Sequence, residues 1–148
     1  KYFSIFNADG SFDPYELNGM YNKIKDNSLD ILFASRYKKN SSSEDDTLVT
    51  FFGNKVFTLI GKILFKLPIT DILYTFVMGD TQKILNLELQ QKDFTLCVEL
   101  PINAKKDGLR MADIAANEKS RIGGTKKVNE FKDGFLILIH MIKLFFKK

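Results

Sequence analysis

The start of the chain alternates between strand and helix patterns, and this alternation restricts the fold more than any other feature. Residues 2–6 are aromatic or β-branched except for Ser4, which favours a strand that runs into a polar turn. Apolar Met20 and Ile24 follow at helical spacing, with Asp13 as the expected N-cap. Residues 29–34 are a short apolar run, typical of a buried strand in a parallel sheet. The pattern predicts an α/β fold with a mostly parallel sheet.

Two long apolar segments and several shorter ones follow. Residues 48–67 are apolar with interspersed lysines, which predicts an amphipathic helix that ends at a proline. Residues 134–146 are almost wholly apolar and predict an apolar C-terminal helix. Residues 69–78 and 94–98 fit either a strand or a short helix, and residues 112–116 predict a final strand. We see no second domain in this pattern.

The two long segments raise the question of a membrane. Each can lie on a membrane surface, although burial against the domain explains the same pattern. No uninterrupted apolar run reaches the roughly 18 residues that a bilayer crossing needs, so we expect the chain not to span a membrane by itself. Residues 38–46 are polar and predict a mobile surface loop.

Composition enters the argument through size, charge and cysteine content. A chain of 148 residues with 45% hydrophobic content can bury one core. Its net charge of +4 comes mostly from dispersed lysines, which suits phosphate ligands or an anionic membrane. Without an aromatic and basic recognition motif, we expect no nucleic-acid partner. The single cysteine, Cys97, excludes an internal disulfide and indicates a reducing, cytoplasmic location, with Cys97 as core packing.

An oxygen-rich turn at residues 7–14 follows the first strand, at the end where open α/β sheets bind ligands. The side chains of Asn7 and Asp9 lie two residues apart and can converge on a divalent cation that neutralises a diphosphate. The alternative is an Asx-rich turn that caps the next helix. The spacing alone leaves both open.

Four segments in order resemble family 2 glycosyltransferases, the group that includes dolichyl-phosphate mannose synthases. Residues 7–14 are similar to the family's Asp-Ala-Asp-Gly-Ser-x-Asp-Pro segment, and residues 30–37 to its Asp-Ile-Val-x-Gly-Ser-Arg-Tyr strand and turn. Residues 69–71 resemble its acidic segment before the acceptor region, and residues 121–127 its Arg-x-x-Gly-x-Ser-Lys loop. The resemblance implies a nucleotide-diphospho-sugar transferase (GT-A) fold, here without the N-terminal strands that hold the nucleotide.

The resemblance also implies an activity. It is an inverting, metal-dependent transfer of a sugar from a nucleotide-sugar to a membrane-associated acceptor, such as a polyprenyl phosphate or a glycan. Asp9, with Asn7 at the family's first acidic position, would bind Mg²⁺ or Mn²⁺. Arg36 would meet a phosphate or carboxylate through its planar fork. Asp71 would be the base that deprotonates the acceptor, or would stabilise the positive sugar carbon.

Two further groups of residues complete the predicted site. Glu99, between apolar neighbours, is the second candidate base, because burial raises the pKa of a carboxyl group. The resemblance implies that a basic loop closes over the donor phosphates. Its residues are Arg121, Gly124, Thr125 and Lys126, which offer cations, a hydroxyl and backbone N–H groups.

Two departures from the family pattern leave a different class of function open. Asn7 replaces an acidic residue, and residues 72–78 contain none of the basic residues that many family members carry there. The chain would then be a non-catalytic, degenerate transferase fold that binds a membrane or a partner. Metal-dependent binding of nucleotide-sugars distinguishes the two hypotheses. Even for a transferase, we expect the isolated chain to be inactive without the nucleotide-binding strands.

Overall fold

The computed structural model describes residues 1–124 and 128–147 as a mixed α and β fold. The strands are β1 Tyr2–Ile5, β2 Ile31–Ser35, β3 Ser42–Ser43, β4 Val77–Asp80, β5 Met111–Ala115 and β6 Asn117–Glu118. The helices are α1 Glu16–Asp26, α2 Leu48–Phe65, α3 Thr81–Leu85, α4 Leu96–Lys106 and α5 Glu130–Phe146. The strand predictions at residues 2–6, 29–34 and 112–116 and the two long helices are confirmed.

The main sheet has four strands in the order β1-β4-β2-β5. Strand β4 is antiparallel to both β1 and β2, whereas β2 is parallel to β5. It follows that β1, β2 and β5 run in the same direction. Their carboxyl ends share one end of the sheet, which we call the carboxyl edge. A short parallel pair joins β3, which follows β2 in the chain, to β6, which follows β5.

The prediction of a mostly parallel sheet is wrong, because two of the three strand pairings are antiparallel. Strand β4 lies between β1 and β2, and its Val77 and Met78 are buried. A central strand that is covered on both faces is apolar whichever way it runs. Its direction depends on the connections around it, which an apolar run does not encode.

The sheet separates two hydrophobic layers. On one face, Ile31 and Phe33 pack with α2, α4 and α5, and on the other, Leu32 and Ala34 pack with α1. Successive side chains of a strand point to opposite faces, so β2 supplies both layers and is buried along its whole length. At about 1.5–3 kcal/mol for each large apolar side chain buried, Ile31, Leu32 and Phe33 of β2 stabilise both layers.

The helix ends correct one prediction. Asp13 is not the N-cap of α1, because the helix begins at Glu16 and its N-cap is Tyr15. The Oδ1 atom of Asp13 instead accepts the N–H of Tyr15 at 3.0 Å, and its carbonyl accepts the N–H of Glu16 at 3.1 Å. The sequence pattern predicted that Asp13 caps the helix. It instead closes a tight turn before the helix begins.

Helix α2 bears on the membrane prediction without overturning it. It has 18 residues with a mean hydropathy of 1.5 and, by length and composition alone, is long and apolar enough to cross a membrane. Lys55 and Lys62 interrupt its apolar run, and the expectation that the chain does not span a membrane stays a prediction. The N-terminus of α2 is capped by Thr47 and Thr50, whose side chains accept each other's backbone N–H groups.

The polar segment at residues 38–46 is more ordered than a simple loop. It contains β3, which pairs with β6 at Ser42 and Ser43. Backbone pairing continues at Glu44, whose N–H donates to the carbonyl of Glu118 at 2.9 Å. This pairing brings three consecutive acidic residues, which we call the acidic loop, beside the carboxyl edge. They are Glu44, Asp45 and Asp46.

Candidate functional site

Arg36 is the centre of the candidate site, because it is the first residue after β2 at the carboxyl edge. Its Nε and Nη2 atoms donate to the two carboxylate oxygens of Asp71 at 2.8 and 3.1 Å. Its Nη1 atom donates to Glu118 at 3.1 Å. The planar fork of a guanidinium fits a carboxylate or a phosphate in this two-point geometry.

The surroundings of Arg36 keep it charged although it is buried. Its side chain is 11% exposed and lies against the rings of Tyr37 and Tyr74. The guanidinium carbon is 5.2 Å from the ring centroid of Tyr37 and 4.7 Å from that of Tyr74. Burial alone lowers the pKa of Arg36, but the carboxylates of Asp71 and Glu118 more than compensate and raise it above its usual value. The site therefore holds a fixed, desolvated cation.

Asp71 is completely buried and is held from the α2 side as well. The side-chain amide of Asn54 donates to its Oδ1 atom. Asn54 in turn accepts a hydrogen bond from Thr58 at 3.1 Å, and the hydroxyl of Thr58 accepts the N–H of Ile72 at 3.2 Å. Both oxygens of Asp71 are thus engaged, which suits a group that orients Arg36. Its role as a base stays a prediction.

The oxygen-rich turn meets the basic loop beside this cluster. The Oδ1 atom of Asp9 accepts the hydroxyl of Ser11 at 2.6 Å and its N–H at 3.1 Å, and these bonds lower the pKa of Asp9. The Oδ2 atom of Asp9 lies 3.9 Å from Nη1 of Arg121. The backbone also connects the two segments, since Ile122 donates its N–H to the carbonyl of Asp9 at 2.8 Å.

This approach requires a glycine in the turn. Gly10 has a φ of +83°, which a side chain rarely adopts, and a Cβ atom there would lie 2.6 Å from Cδ1 of Ile122. Asn7 and Gly124 are both exposed, and Gly124 also has a φ of +83°. The predicted phosphate-binding residues Thr125 and Lys126 lie outside the described residues.

The acidic loop neutralises both arginines of the site. Asp45 pairs with Arg121 at 2.5 Å, and Asp46 lies 4.0 Å from Arg36. Asp46 also accepts the hydroxyl of Tyr37, whose pKa is raised mainly by burial. Both arginines are thus already paired with carboxylates in this structure.

Glu99, the second predicted base, is not part of this cluster in the described structure. It is buried in α4, and its carboxylate accepts the backbone N–H groups of Gln90 at 3.0 Å and Gln91 at 2.9 Å. These contacts fix the chain that leads into α4. The sequence indicated its burial correctly, but the partners that a buried carboxylate finds depend on tertiary structure.

Several members of the cluster were missed by the sequence reasoning. They are Asp46, Asn54, Tyr74 and Glu118. A signal existed only for Asn54, because Asn54 and Thr58 are polar, four residues apart and on the buried face of an apolar helix. The hydroxyl of Tyr74 is buried and has no hydrogen-bond partner among the described residues.

A cleft of about 350 Å³ lies next to Tyr74 and opens between the sheet and the start of α4. Its walls are mainly apolar, and they include Ile5 at the end of β1, Phe33 of β2 and Leu100 of α4. Tyr74 lines the cleft and also contacts Arg36, so the cleft adjoins the charged cluster.

The oxygen atoms of Asn7 and Asp9 fit a metal ion only if other ligands come from substrate and water. Among residues 1–124 and 128–147, no group of three or more His, Cys, Asp or Glu side chains could hold a metal ion. Asp9 is a single carboxylate, and Asn7 adds an amide oxygen. Mg²⁺ in phosphate-transferring sites is often held by one or two carboxylates, with substrate phosphates and water as the other ligands. The turn fits such a shared site.

Comparison with known proteins does not name a family. No protein-family model matches the chain, and no curated protein matches it either. The geometry of the carboxyl edge and the resemblance of four short segments therefore carry the functional argument.

Proposed function

We propose that this chain is the acceptor-side part of a family 2 glycosyltransferase of the GT-A type. It transfers a sugar, with inversion, from a nucleotide-sugar to a membrane-associated acceptor such as a polyprenyl phosphate. The observation that supports this most is that Asp9 and Arg36 follow the carboxyl ends of β1 and β2, which run in the same direction, and that Arg121 lies 3.9 Å from Asp9. Ligands of α/β sheets bind at this end of the strands.

The charges at this edge suit the chemistry of the transfer. An acceptor oxygen attacks the anomeric carbon, and the bond from that carbon to the diphosphate breaks, so the electron pair leaves with the diphosphate. Negative charge grows on the leaving group during this step. Arg36 and Arg121 would stabilise that charge once the diphosphate shares or displaces their contacts with Asp46 and Asp45.

The turn at Asp9 suits a divalent cation. Mg²⁺ or Mn²⁺ held there would supply further positive charge to the diphosphate. The hydroxyl of Ser11 lowers the pKa of Asp9, so its carboxylate is ionised at neutral pH. Its side chain is 26% exposed and can be reached by a ligand, while Asn7 beside it offers a second oxygen.

The acceptor determines whether a base is needed. A phosphate acceptor already carries negative charge at neutral pH, since its second pKa is about 6. Asp71 can then act through Arg36, by holding the guanidinium in place, as its buried contacts favour. For a glycan acceptor a base is required, and Asp71 and Glu99 remain the two candidates.

The test is turnover of a panel of nucleotide-sugars by the full-length protein with Mg²⁺ or Mn²⁺. We expect metal-dependent hydrolysis or transfer with at least one donor and a large loss in an Asp9→Ala variant. An Asp26→Ala variant, which removes an exposed carboxylate at the end of α1, is the matched control and should keep its activity. A folded protein that neither binds nor turns over any donor would refute the proposal.

The second candidate function is a non-catalytic module that uses the same fold to bind a membrane or partner. Two observations favour it: Asn7 stands where the family has an acidic residue, and both arginines are already paired with carboxylates. It predicts that no nucleotide-sugar binds with or without metal, while association with a surface persists.

A further inference from the structure

Helices α2 and α5 each expose a stripe of large apolar side chains. The stripe of α2 consists of Phe52, Val56, Leu59 and Ile63. The stripe of α5 consists of Phe131, Phe135, Leu138 and Ile142. Both stripes repeat every three or four residues, which places each set on one side of its helix. Most of the exposed large hydrophobic side chains in the described residues belong to these two helices.

The stripe of α2 lies opposite the face that packs on the domain. The buried positions of α2 are Asn54, Thr58, Gly61 and Phe65. Each lies two residues beyond a stripe residue, and two residues correspond to about 200° around a helix with 3.6 residues per turn. The stripe therefore points away from the core, and core packing does not explain its apolar character.

The two helices run side by side in the same direction. At their N-terminal ends, the hydroxyl of Thr47 donates to Glu130 at 3.3 Å. At their C-terminal ends, the rings of Phe65 and Phe145 lie 6.0 Å apart. Between these points, Gly134 lies close to the ring of Phe57. The stripes thus belong to one two-helix surface, which we call the platform.

The charges around the platform identify its partner. Helix α2 contains no acidic residue, and α5 has acidic residues only in its first turn. The exposed lysines of the two helices and their ends are Lys55, Lys62, Lys66, Lys132, Lys143 and Lys147. Lysines have long apolar stems and place their charge at the headgroup level of anionic lipids. A contact between two copies through this surface would bring lysines near lysines, because acidic residues of the two helices occur only in the first turn of α5.

We propose that the platform docks on an anionic lipid surface, with α2 and α5 lying in the plane of the interface. Although α2 is long enough to cross a bilayer, its inner face is bonded to the domain through Asn54 and Thr58. These polar contacts would be lost if α2 crossed the membrane. An amphipathic helix with basic residues beside its apolar face binds in this orientation.

Docking in this way places the charged cluster close to the lipid. Asn54 on the inner face of α2 donates to Asp71, which holds Arg36. The site is therefore separated from the lipid surface by one helix, a thickness of about 10 Å. The identity of the acceptor is the only step that rests on the proposed function. If the chain is the transferase, its acceptor is a lipid whose reacting group lies at the headgroup level.

The test is flotation of the full chain with vesicles, without any nucleotide-sugar. We expect binding to vesicles of equimolar phosphatidylcholine and phosphatidylglycerol, and weaker binding to phosphatidylcholine alone or at high salt. A Phe52→Asp, Phe135→Asp double variant should lose at least about tenfold in partitioning, because two phenyl groups no longer leave water. The control is Tyr15→Asp, which adds a charge at an exposed aromatic position just before α1, the helix that packs on the opposite face of the sheet; it should bind like the wild type.

Two results would overturn the proposal. One is unchanged vesicle binding by the double variant. The other is a wild-type chain that does not bind vesicles but forms a dimer, with the double variant monomeric. That result would assign the platform to a second copy. Because the double variant changes only exposed side chains, its melting temperature should stay near that of the wild type. Vesicle binding without any transferase activity would refute the proposed function and leave the docking surface in place.

Discussion

Strand β2 has an arginine–aspartate pair at each of its ends, and the two pairs differ in their surroundings. At the carboxyl end, Arg36 and Asp71 are both buried, with side-chain exposures of 11% and 0%. At the amino end, Asp30 is buried, but its partners Arg110 and Lys83 are 61% and 49% exposed. The same chemistry therefore serves two purposes. The amino-end pair connects the start of β2 to exposed cations of neighbouring segments. The carboxyl-end pair maintains a desolvated cation at the end of the strands where ligands of α/β sheets bind.

The largest expected effect is on stability, and it separates the two pairs. An Arg36→Ala variant leaves the Asp71 carboxylate buried without its cation, which should cost about 3–5 kcal/mol in the free energy of unfolding. An Arg110→Ala variant removes an exposed cation, so we expect a much smaller loss. Urea unfolding of both variants measures the difference. Equal losses would show that the two pairs are equivalent.

A smaller loss should follow when the support of Asp71 is removed from α2. An Asn54→Ala variant deletes one donor to the buried carboxylate, with an expected cost of about 1–3 kcal/mol. The matched control is Gly53→Ala, at a neighbouring helical position where a Cβ atom meets nothing within 4 Å. It should leave the protein as stable as before or slightly more stable. If the Asn54→Ala variant were as stable as the wild type, the hydrogen bond from Asn54 to Asp71 would not stabilise the fold.

The pH dependence of stability should come in part from the amino-end pair. Burial raises the pKa of Asp30, but Arg110 and Lys83 outweigh burial and hold the pKa well below its usual range. A carboxyl group with a lowered pKa stabilises the fold above its unfolded pKa of about 4, and this stability is lost as the pH falls. Unfolding measured between neutral pH and acid should show this loss. An Asp30→Asn variant should show a shallower slope, and an unchanged slope would argue against the pairing.

A moderate gain in ligand affinity should follow when the acidic loop is neutralised. In an Asp45→Asn variant, Arg121 loses its shortest carboxylate contact, so we expect about two- to tenfold tighter binding of Mg²⁺-pyrophosphate. Isothermal titration calorimetry measures it. The control Asp26→Asn makes the same change in net charge away from the site, and it should have little effect. Equal gains in both variants would indicate a long-range charge effect instead of competition at Arg121.

The sequence predicted those parts of the fold that depend on local pattern. Strand β2 and helix α2 lie where the apolar run and the helical spacing placed them. The prediction of a mostly parallel sheet was wrong, because a buried central strand such as β4 is apolar whichever way it runs. At the site, Arg36 could be placed after a strand, but its clamp by Asp71 and Glu118 depends on contacts between residues far apart in the chain.

The measurement that tests the central claim most directly is the affinity for a nucleoside diphosphate with Mg²⁺, compared between Arg121→Gln and Arg110→Gln variants. Both changes remove one partly exposed arginine charge, at the carboxyl edge in one case and at the amino end of β2 in the other. We expect Arg121→Gln to weaken binding by about tenfold, as for the loss of a charged hydrogen bond, and Arg110→Gln to leave it unchanged. Equal affinities in the two variants, or no binding by the wild type, would contradict the assignment of the carboxyl edge as the phosphate-binding site.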